Sequence, residues 1–460
     1  MMYLKESFRK YLEEAIGCDK ALVAFSAFDE SAKVSVRMNP FKKGLELGGG
    51  NVPWNQYGRL LAERPKFTLD PHLHGGAYYV QDSSSMFVGH VFRMLLERVR
   101  ASVTGPVRVL DLCAAPGGKT TDLAASLRMV LGDGFLLVSN EVMKQRAGVL
   151  ADNVALWGDM NVAVTSDDPR AFASLPEFFD IEVADVPCSG EGMFRKDEEA
   201  QRQWSEDNVA LCQARQKRII ADMWSCLKPG GMLIYSTCTF NRYENDDNVA
   251  WIAEELGADI LHPADDNMPG VICTRHGYSL VPGHVDGEGQ YCAALVKTSD
   301  DSSAGTYAPM RQKRERSGKK PVQQIPENLK CLFKVDVSLR QKSDTVVAVP
   351  ACIAADVAVL ESTLHVLSAG CAVGVLKGQT LVPDADLALS IAYDTDSYPI
   401  ADVDLHTALS FLHRDAIVLP DREKGYVLIR YEGVPIGFVK NLGNRCNNLH
   451  PQGRRIRMDI

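Results

Sequence analysis

The stretch Phe179–Phe194, FDIEVADVPCSGEGMF, decides how the rest of the chain is read. From Ile181 to Val186 it is mostly apolar and β-branched, the pattern of a buried strand, and it stops in the tight polar turn Pro187-Cys188-Ser189-Gly190. In an open α/β sheet, chemistry gathers outside the carboxyl ends of the strands. A strand here delivers a carboxylate, Asp185, and a thiol, Cys188, to that edge. A second run, Gly231–Thr239 (GMLIYSTCT), ends in the same way and delivers Cys238. Two strand-end thiols and one strand-end acid are the constellation from which a function is argued.

Working outward, residues 105–298 repeat the order strand, turn, helix. Strands are expected at 107–112, 134–141, 162–165, 181–186 and 232–236. Helices are expected at 119–130, 144–157 and 244–256, with a long polar helical region from 197 to 227. Such alternation predicts an α/β fold with a Rossmann-like, doubly wound sheet. The runs at 277–280 and 292–297 lie too close for a helical crossover and predict an antiparallel pair at the sheet's end. Ahead of this region, Leu4–Ile16 has helical spacing, and Ala32–Val36 reads as a short strand closed by Asn39-Pro40. Gly75–Met86 (GGAYYVQDSSSM) reads as a strand running into a helix at 86–96, with Ser83, Ser84 or Ser85 as its cap. Gln81 and Asp82 sit between them, facing the next domain.

The division expected is a small α+β N-terminal domain at 1–104, the sheet domain at 105–298 and a linker at 299–326. An intermediate domain of short strands and turns follows at 327–398, then a small β-barrel at 399–460. The linker carries RQKRERSGKK at 311–320, either a solvated surface or an arm touching RNA. The barrel ends in a basic, Asn-rich edge with Lys440, Arg445, Arg454, Arg455 and Arg457.

A chain of 460 residues is too long for one hydrophobic core. With 46% hydrophobic and 24% charged residues it reads as globular, and a net charge of −9 confines any nucleic-acid binding to local basic patches. The N-terminus lacks the apolar core of a signal peptide, and no run reaches the roughly 20 apolar residues of a membrane helix. A cytoplasmic location is expected. Of the twelve cysteines, no pair is spaced like a zinc-binding motif, so no metal is expected. Cys18, Cys212, Cys226, Cys273, Cys292, Cys331, Cys352 and Cys371 are read as buried structural thiols.

The first strand of the sheet domain feeds Asp111-Leu112-Cys113-Ala114-Ala115-Pro116-Gly117-Gly118-Lys119. Glycines between strand and helix let backbone amides approach a ligand. A phosphate-binding loop needs Gly where Cys113 stands, and the dinucleotide spacing is absent as well. The next strand ends in Glu141, suited to the two hydroxyls of a ribose, and the third is followed by Asp167-Asp168, placed to reach an adenine amine. Acids at successive strand ends without a phosphate loop suit an adenosyl ligand such as S-adenosylmethionine; acidic surface turns are the bland alternative. Carbon 5 of cytosine attacks a sulfonium methyl poorly until a thiolate adds at carbon 6. That chemistry needs a nucleophilic thiolate, an acid against the ring and a base, and Cys238, Asp185 and Cys188 match it in kind.

The segments DLCAAPGGKTTDLAA, NEVMKQRAGVLADNVALWG, ADVPCSGEGMFRKD and YSTCTFNRYEND resemble the NOL/NOP2/Sun family of RNA 5-methylcytosine methyltransferases. RMNPFK and GGAYYVQDSSSM are similar to that family's leading domain, and IGFVKNLGNRCNNLHPQGRRIR to the PUA-like tail of its bacterial small-subunit rRNA branch. The resemblance implies that Cys113, Ala114, Ala115, Pro116, Gly117, Gly118 and Lys119 wrap the methionyl part of S-adenosylmethionine. It places Glu141 on the ribose, Asp168 on the adenine, and Arg146 in support. Asp185 would lie between cofactor and cytosine. Cys238 would be the nucleophile, Cys188 would assist release, and Lys119 would join the catalytic set. Val186, where the family often has Ala, is a tolerated departure. Phe194, Arg195 and Lys196 are expected to line the RNA groove. The implied partner is RNA, 16S rRNA ahead of tRNA, bound by a monomer without membrane or metal; an assembly factor with incidental methylation is the contrasting class.

Overall fold

The computed structural model describes residues 4–42, 45, 47–262, 268–298 and 324–460. The basic run at 311–320 lies outside them. Five parallel strands form the centre: β1 (Val107–Asp111), β2 (Phe135–Asn140), β3 (Val162–Thr165), β4 (Phe179–Asp185) and β5 (Leu227–Thr237). Their spatial order is β5-β4-β1-β2-β3. The chain moves outward from β1 in one direction and returns to start β4 on the other side. The switch point therefore falls between β1 and β4, where ligands bind in sheets of this kind. The strand β6 (Gln290–Lys297) pairs antiparallel with β5 and with Tyr278–Leu280, as the close spacing predicted.

Alternation along the strands fills both faces. Val109, Ile181, Val183 and Ile234 pack with Phe87, Phe92, Leu95 and Leu123 on one side. Leu110, Ala184, Leu233 and Tyr235 pack with Ile219, Ile220, Met223, Val249 and Ile252 on the other. Helices α1 (Gly118–Leu131), α2 (Lys144–Trp157) and α3 (Glu206–Met223) connect the strands.

The segment from 327 to 398, poor in motifs, forms its own antiparallel sheet in the order Val337–Lys342, Thr345–Pro350, Cys371–Lys377, Thr380–Pro383 and also lends one strand to the central sheet. Val366–Ala369 pairs antiparallel with β3, extending the central sheet. The helix Ala354–Thr363 places Val357 and Leu360 in the second core. Edge pairing of this kind leaves no local signature, because the partner strand lies some 200 residues away in a chain read only locally. The C-terminal sheet has the order Ile400–Val403, Gly425–Tyr431, Val434–Asn441, Cys446–Asn448. The N-terminal sheet places Val34–Met38 between Asn55–Leu61 and Tyr78–Val80.

Two local expectations need correction. None of the three serines caps the helix Met86–Arg100; Asp82 Oδ1 accepts instead from Ser84 N and Ser85 N at 3.1 and 3.4 Å. A carboxylate at the head of an Asx turn takes the donors that a hydroxyl would otherwise take. Among the structural thiols, Cys212, Cys226, Cys292 and Cys371 are buried, whereas Cys18, Cys273, Cys331 and Cys352 are exposed.

Candidate active site

The turns after β4 and β5 bring the two cysteines together. Asp185 stands opposite Ser236 in the parallel register, so the turns leave the sheet side by side. Cys188 Sγ and Cys238 Sγ lie 3.1 Å apart. The bond to Cys238, and then burial, raise the Cys188 thiol well above its ordinary range. Cys188 therefore holds a proton beside the other sulfur. Gly192 N donates to Cys238 O at 2.8 Å, and Ser189 Oγ pairs with Thr239 Oγ1 at 2.9 Å, so the turns are also joined directly.

Asp185 is the hub between this pair and the loop after β1. Lys119 Nζ donates to Asp185 Oδ2 at 2.8 Å. Ser236 Oγ and Gln290 Nε2 donate to Oδ1 at 2.7 and 3.0 Å. Burial works against the Lys119 ammonium, but the Asp185 carboxylate outweighs it and raises the Lys119 pKa, so the ammonium keeps its proton. Three donors fix the carboxylate in one orientation.

The loop from Cys113 to Gly118 is held from behind by its carbonyls. Arg146 Nη2 donates to Ala115 O at 2.9 Å, Asn153 Nδ2 to Pro116 O at 2.8 Å and Arg37 Nη2 to Gly118 O at 3.2 Å. Ala114 N bonds Asn140 O at 2.8 Å. Gly117 has a φ of 113°, a conformation that suits glycine and starts α1. The first N–H groups of that helix lack intrahelical partners and attract negative charge. Beneath the loop, Asp111 is fully buried: Oδ2 accepts from Thr120 Oγ1 at 2.7 Å and Oδ1 has no partner. Burial pushes this carboxyl up to about 7.

Glu141, at the end of β2, accepts from Met143 N at 2.9 Å and faces Arg146 Nη1 at 3.2 Å. Asp168 is half-exposed at the rim, bonded to Arg170 N and Nε at 3.2 and 3.1 Å, which lowers its pKa. Asp167 Oδ2 accepts from His365 N at 2.8 Å, a link to the intermediate segment. Cys113 is pushed well up, first by burial and then by the Asp185 charge, and stays a neutral thiol. Strand-end acids, a glycine turn at a helix start and an unpartnered buried carboxyl oxygen fit an adenosyl ligand bearing an α-amino acid. Among the described residues no His, Cys, Asp and Glu group could hold a metal ion, and no described helix is long and apolar enough to cross a membrane.

Three expected RNA-facing residues have other work. Phe194 packs against Phe8 and Phe28, with ring centroids at 5.0 and 6.3 Å, and anchors the N-terminal helix instead of lining a groove. An aromatic followed by Arg195 and Lys196 suggests a groove-lining residue, but the amphipathic helix Glu6–Ile16 needs a partner for Phe8 and Leu12. Arg454 is tied to Asp152 and Asp386 at 3.0 and 2.6 Å, joining the C-terminal domain to α2. Arg195 pairs with Glu288 at 3.0 Å, while Lys440, Arg445, Arg455 and Arg457 remain exposed.

Sequence reasoning missed Ser236, Gln290, Asn140, Arg37, Glu191 and Glu244. The first two flank the Asp185 oxygen from neighbouring strands, a relation visible only with the register in hand. Glu191 and Glu244 follow the two cysteines by three and six residues, so their signal was proximity in sequence to each turn.

A sheet with this switch point and these strand ends is the methyltransferase fold. The NSun6 structure from Pyrococcus horikoshii, solved with SFG, matches 64% of this chain and 99% of its own at a TM-score of 0.51 and 17% identity. A methyltransferase homologue from the same organism covers 64% and 95% at a TM-score of 0.51 and 23% identity. The profile described as 16S rRNA methyltransferase RsmB/F matches residues 103–296, and the methyltransferase RsmF PUA domain matches 399–456. The "Ribosomal RNA small subunit methyltransferase F" of Salmonella agona is 31% identical over 98% of this chain and 96% of its own. That of Pectobacterium atrosepticum is 30% identical over 87% and 83%. The chain belongs to the RsmB/F family of methyltransferases. S-adenosylmethionine is the cofactor that goes with this family and fold.

Proposed function

We propose that this protein methylates carbon 5 of a cytosine in 16S rRNA through a covalent adduct at Cys238. The observation that carries the reading is the pair of sulfurs 3.1 Å apart beside the fixed Asp185 carboxylate. A structural cysteine has no use for a second thiol at its side, whereas a nucleophile that must be released can use one as its proton donor and acceptor. Its family membership and the PUA-domain match support RNA as substrate, and the names of its relatives support the small-subunit rRNA.

Cys238, its proton given up to solvent, bonds as a thiolate through Sγ to carbon 6 of the flipped-out base, and the electron pair of the 5,6 double bond moves to carbon 5. Asp185, held by Lys119, Ser236 and Gln290, meets the cytosine edge and orients it over the sulfur. S-adenosylmethionine, when bound, supplies an electrophilic methyl group for carbon 5. Cys188 then gives its proton to the departing Cys238 sulfur and takes up the carbon-5 proton, whose bonding electrons restore the ring double bond as the bond between Cys238 and carbon 6 breaks. Cys188, against Cys238, assists that release. Cys113, Ala114, Ala115, Pro116, Gly117, Gly118 and Lys119 would hold the methionyl end, Glu141 the ribose, with Arg146 holding Glu141 and the loop, and Asp168 the adenine.

The test incubates the full chain with S-adenosylmethionine and either 16S rRNA, small subunits or tRNA, followed by bisulfite sequencing and nucleoside mass spectrometry. Protected cytosines in 16S rRNA, lost with Cys238→Ala, are expected. A methylated nucleoside other than 5-methylcytidine, or full activity in Cys238→Ala, overturns the reading.

A further inference from the structure

The two cysteine turns are not held at their spacing by the sheet alone. Behind them lies a crossed brace of two buried carboxylates, Glu191 and Glu244, 1% and 0% exposed. Glu244, from the chain after Cys238, reaches back to the Cys188 turn: Oε2 accepts from Ser189 N at 3.0 Å and from Gln216 Nε2 at 2.7 Å. Glu191, from the chain after Cys188, reaches across to the Cys238 turn: Oε2 accepts from Phe240 N at 2.6 Å and Asn241 N at 3.1 Å. Its other oxygen accepts from Trp204 Nε1 at 2.9 Å. The Asn241 amide donates to both carboxylates at 2.9 Å, joining the two arms.

We propose that Glu191 and Glu244 are positioning residues that set the distance between Cys188 and Cys238, and with it the release step. This rests on the function proposed above. The chemistry of the donors carries the argument. Among the described residues every hydrogen-bond partner of either side chain is an N–H group, so the brace is built from accepting oxygens. Burying two neighbouring acids is costly; burial, and then the Glu191 charge, raise Glu244 to about 7. An apolar pair would pack as well, but it could not accept from Ser189 N on one turn and Phe240 N on the other. A glutamine at either place keeps the volume and turns an N–H toward an existing donor, at Asn241 or at a backbone amide.

The test uses the full chain and its Glu191→Gln, Glu244→Gln and Cys188→Ala variants. Diamide, which takes two electrons and both thiol protons, converts Cys188 and Cys238 to a disulfide, and peptide mapping follows its rate. Adduct formation is followed with S-adenosylmethionine and the RNA substrate on denaturing gels. Both Gln variants are expected to unfold cooperatively, to cross-link about tenfold or more slowly than wild type, and to accumulate adduct as Cys188→Ala does. A purely structural role would lower the melting temperature without selecting the release step. Wild-type cross-linking in folded Gln variants, or no cross-linking in the wild type, overturns the inference. Where a Gln variant does not fold, Glu244→Asp, which keeps the charge and shortens the reach, decides by the same rate: wild-type cross-linking overturns the inference and slower cross-linking supports it. If Cys188→Ala itself traps no adduct, the release role fails, and the cross-linking rates still judge the brace.

Discussion

The two halves of the site are held by different means. On the cysteine side, β4 and β5 end in turns locked to each other by buried groups: Glu191, Glu244, Asn241 and the Ser189–Thr239 hydroxyl pair. On the cofactor side, the loop after β1 is gripped by its carbonyls from outside. Glu141 is buried with the exposed Arg146 beside it, while at the rim the half-exposed Asp168 is engaged with Arg170, itself exposed. Ion pairs at a wet rim are worth ~1 kcal/mol or less and exchange partners readily. Buried acceptors facing several N–H groups do not exchange without leaving a donor unpaired. The site thus combines a fixed nucleophile with a cofactor rim whose charges can turn from arginine to ligand.

That contrast can be broken in graded ways. Cys238→Ala should lower turnover by on the order of 10⁴-fold or more while cofactor affinity stays, measured by single-turnover methylation and by calorimetry. Cys188→Ala should cost roughly 10²-fold in steady-state turnover and leave a gel-shifted RNA adduct; normal turnover without adduct would remove Cys188 from release. Asp185→Asn keeps the shape but loses the ion pair with Lys119, and a fall of about 10²-fold in kcat is expected with cofactor KM much less affected. On the rim, Asp168→Ala should change only the cofactor KM, by about fivefold, as one hydrogen bond is lost. A kcat effect there as large as that of Asp185→Asn would dissolve the distinction between the halves.

The smallest effect concerns pH. Asp111 is raised to about 7 and Glu182 to about 8, both mainly by burial. Their folded-state values lie above the unfolded range near 4, so the folded chain binds the extra protons. The stability they contribute is present in full below about pH 4 and is lost as pH rises through 7 and 8. Asp111→Asn should flatten the fall in melting temperature between pH 5 and about 7, read by calorimetry without ligand.

Removing the Arg454 link to Asp152 and Asp386 separates another pair of regions. Arg454→Ala should weaken RNA binding more than cofactor binding, because it frees the C-terminal domain from α2. Equal losses would point to general misfolding.

Much of the centre was legible because its signals are local. Periodicity gave the alternating strands and helices, and polar turns after Val186 and Thr237 marked the strand ends where Cys188 and Cys238 stand. The antiparallel pairing of the runs at 277–280 and 292–297 followed from their close spacing; the register of Tyr278 with Cys292 did not. Phe194 misled because an aromatic beside Arg195 and Lys196 carries the same local pattern whether it meets a base or a core. The strand Val366–Ala369 was invisible because its reason for existing is the open edge of β3.

By itself, then, the order of residues determined which side chains arrive at the carboxyl edge of the sheet: Asp111, Glu141, Asp185, Cys188 and Cys238. It could do so because strand and turn are written in neighbouring residues. Only the tertiary structure decided which of them face one another, the two sulfurs 3.1 Å apart and Asp185 against Lys119, Ser236 and Gln290. Register between distant strands and the burial of Glu191 and Glu244 settle those distances. Both depend on packing across the whole sheet, which no short window of sequence contains.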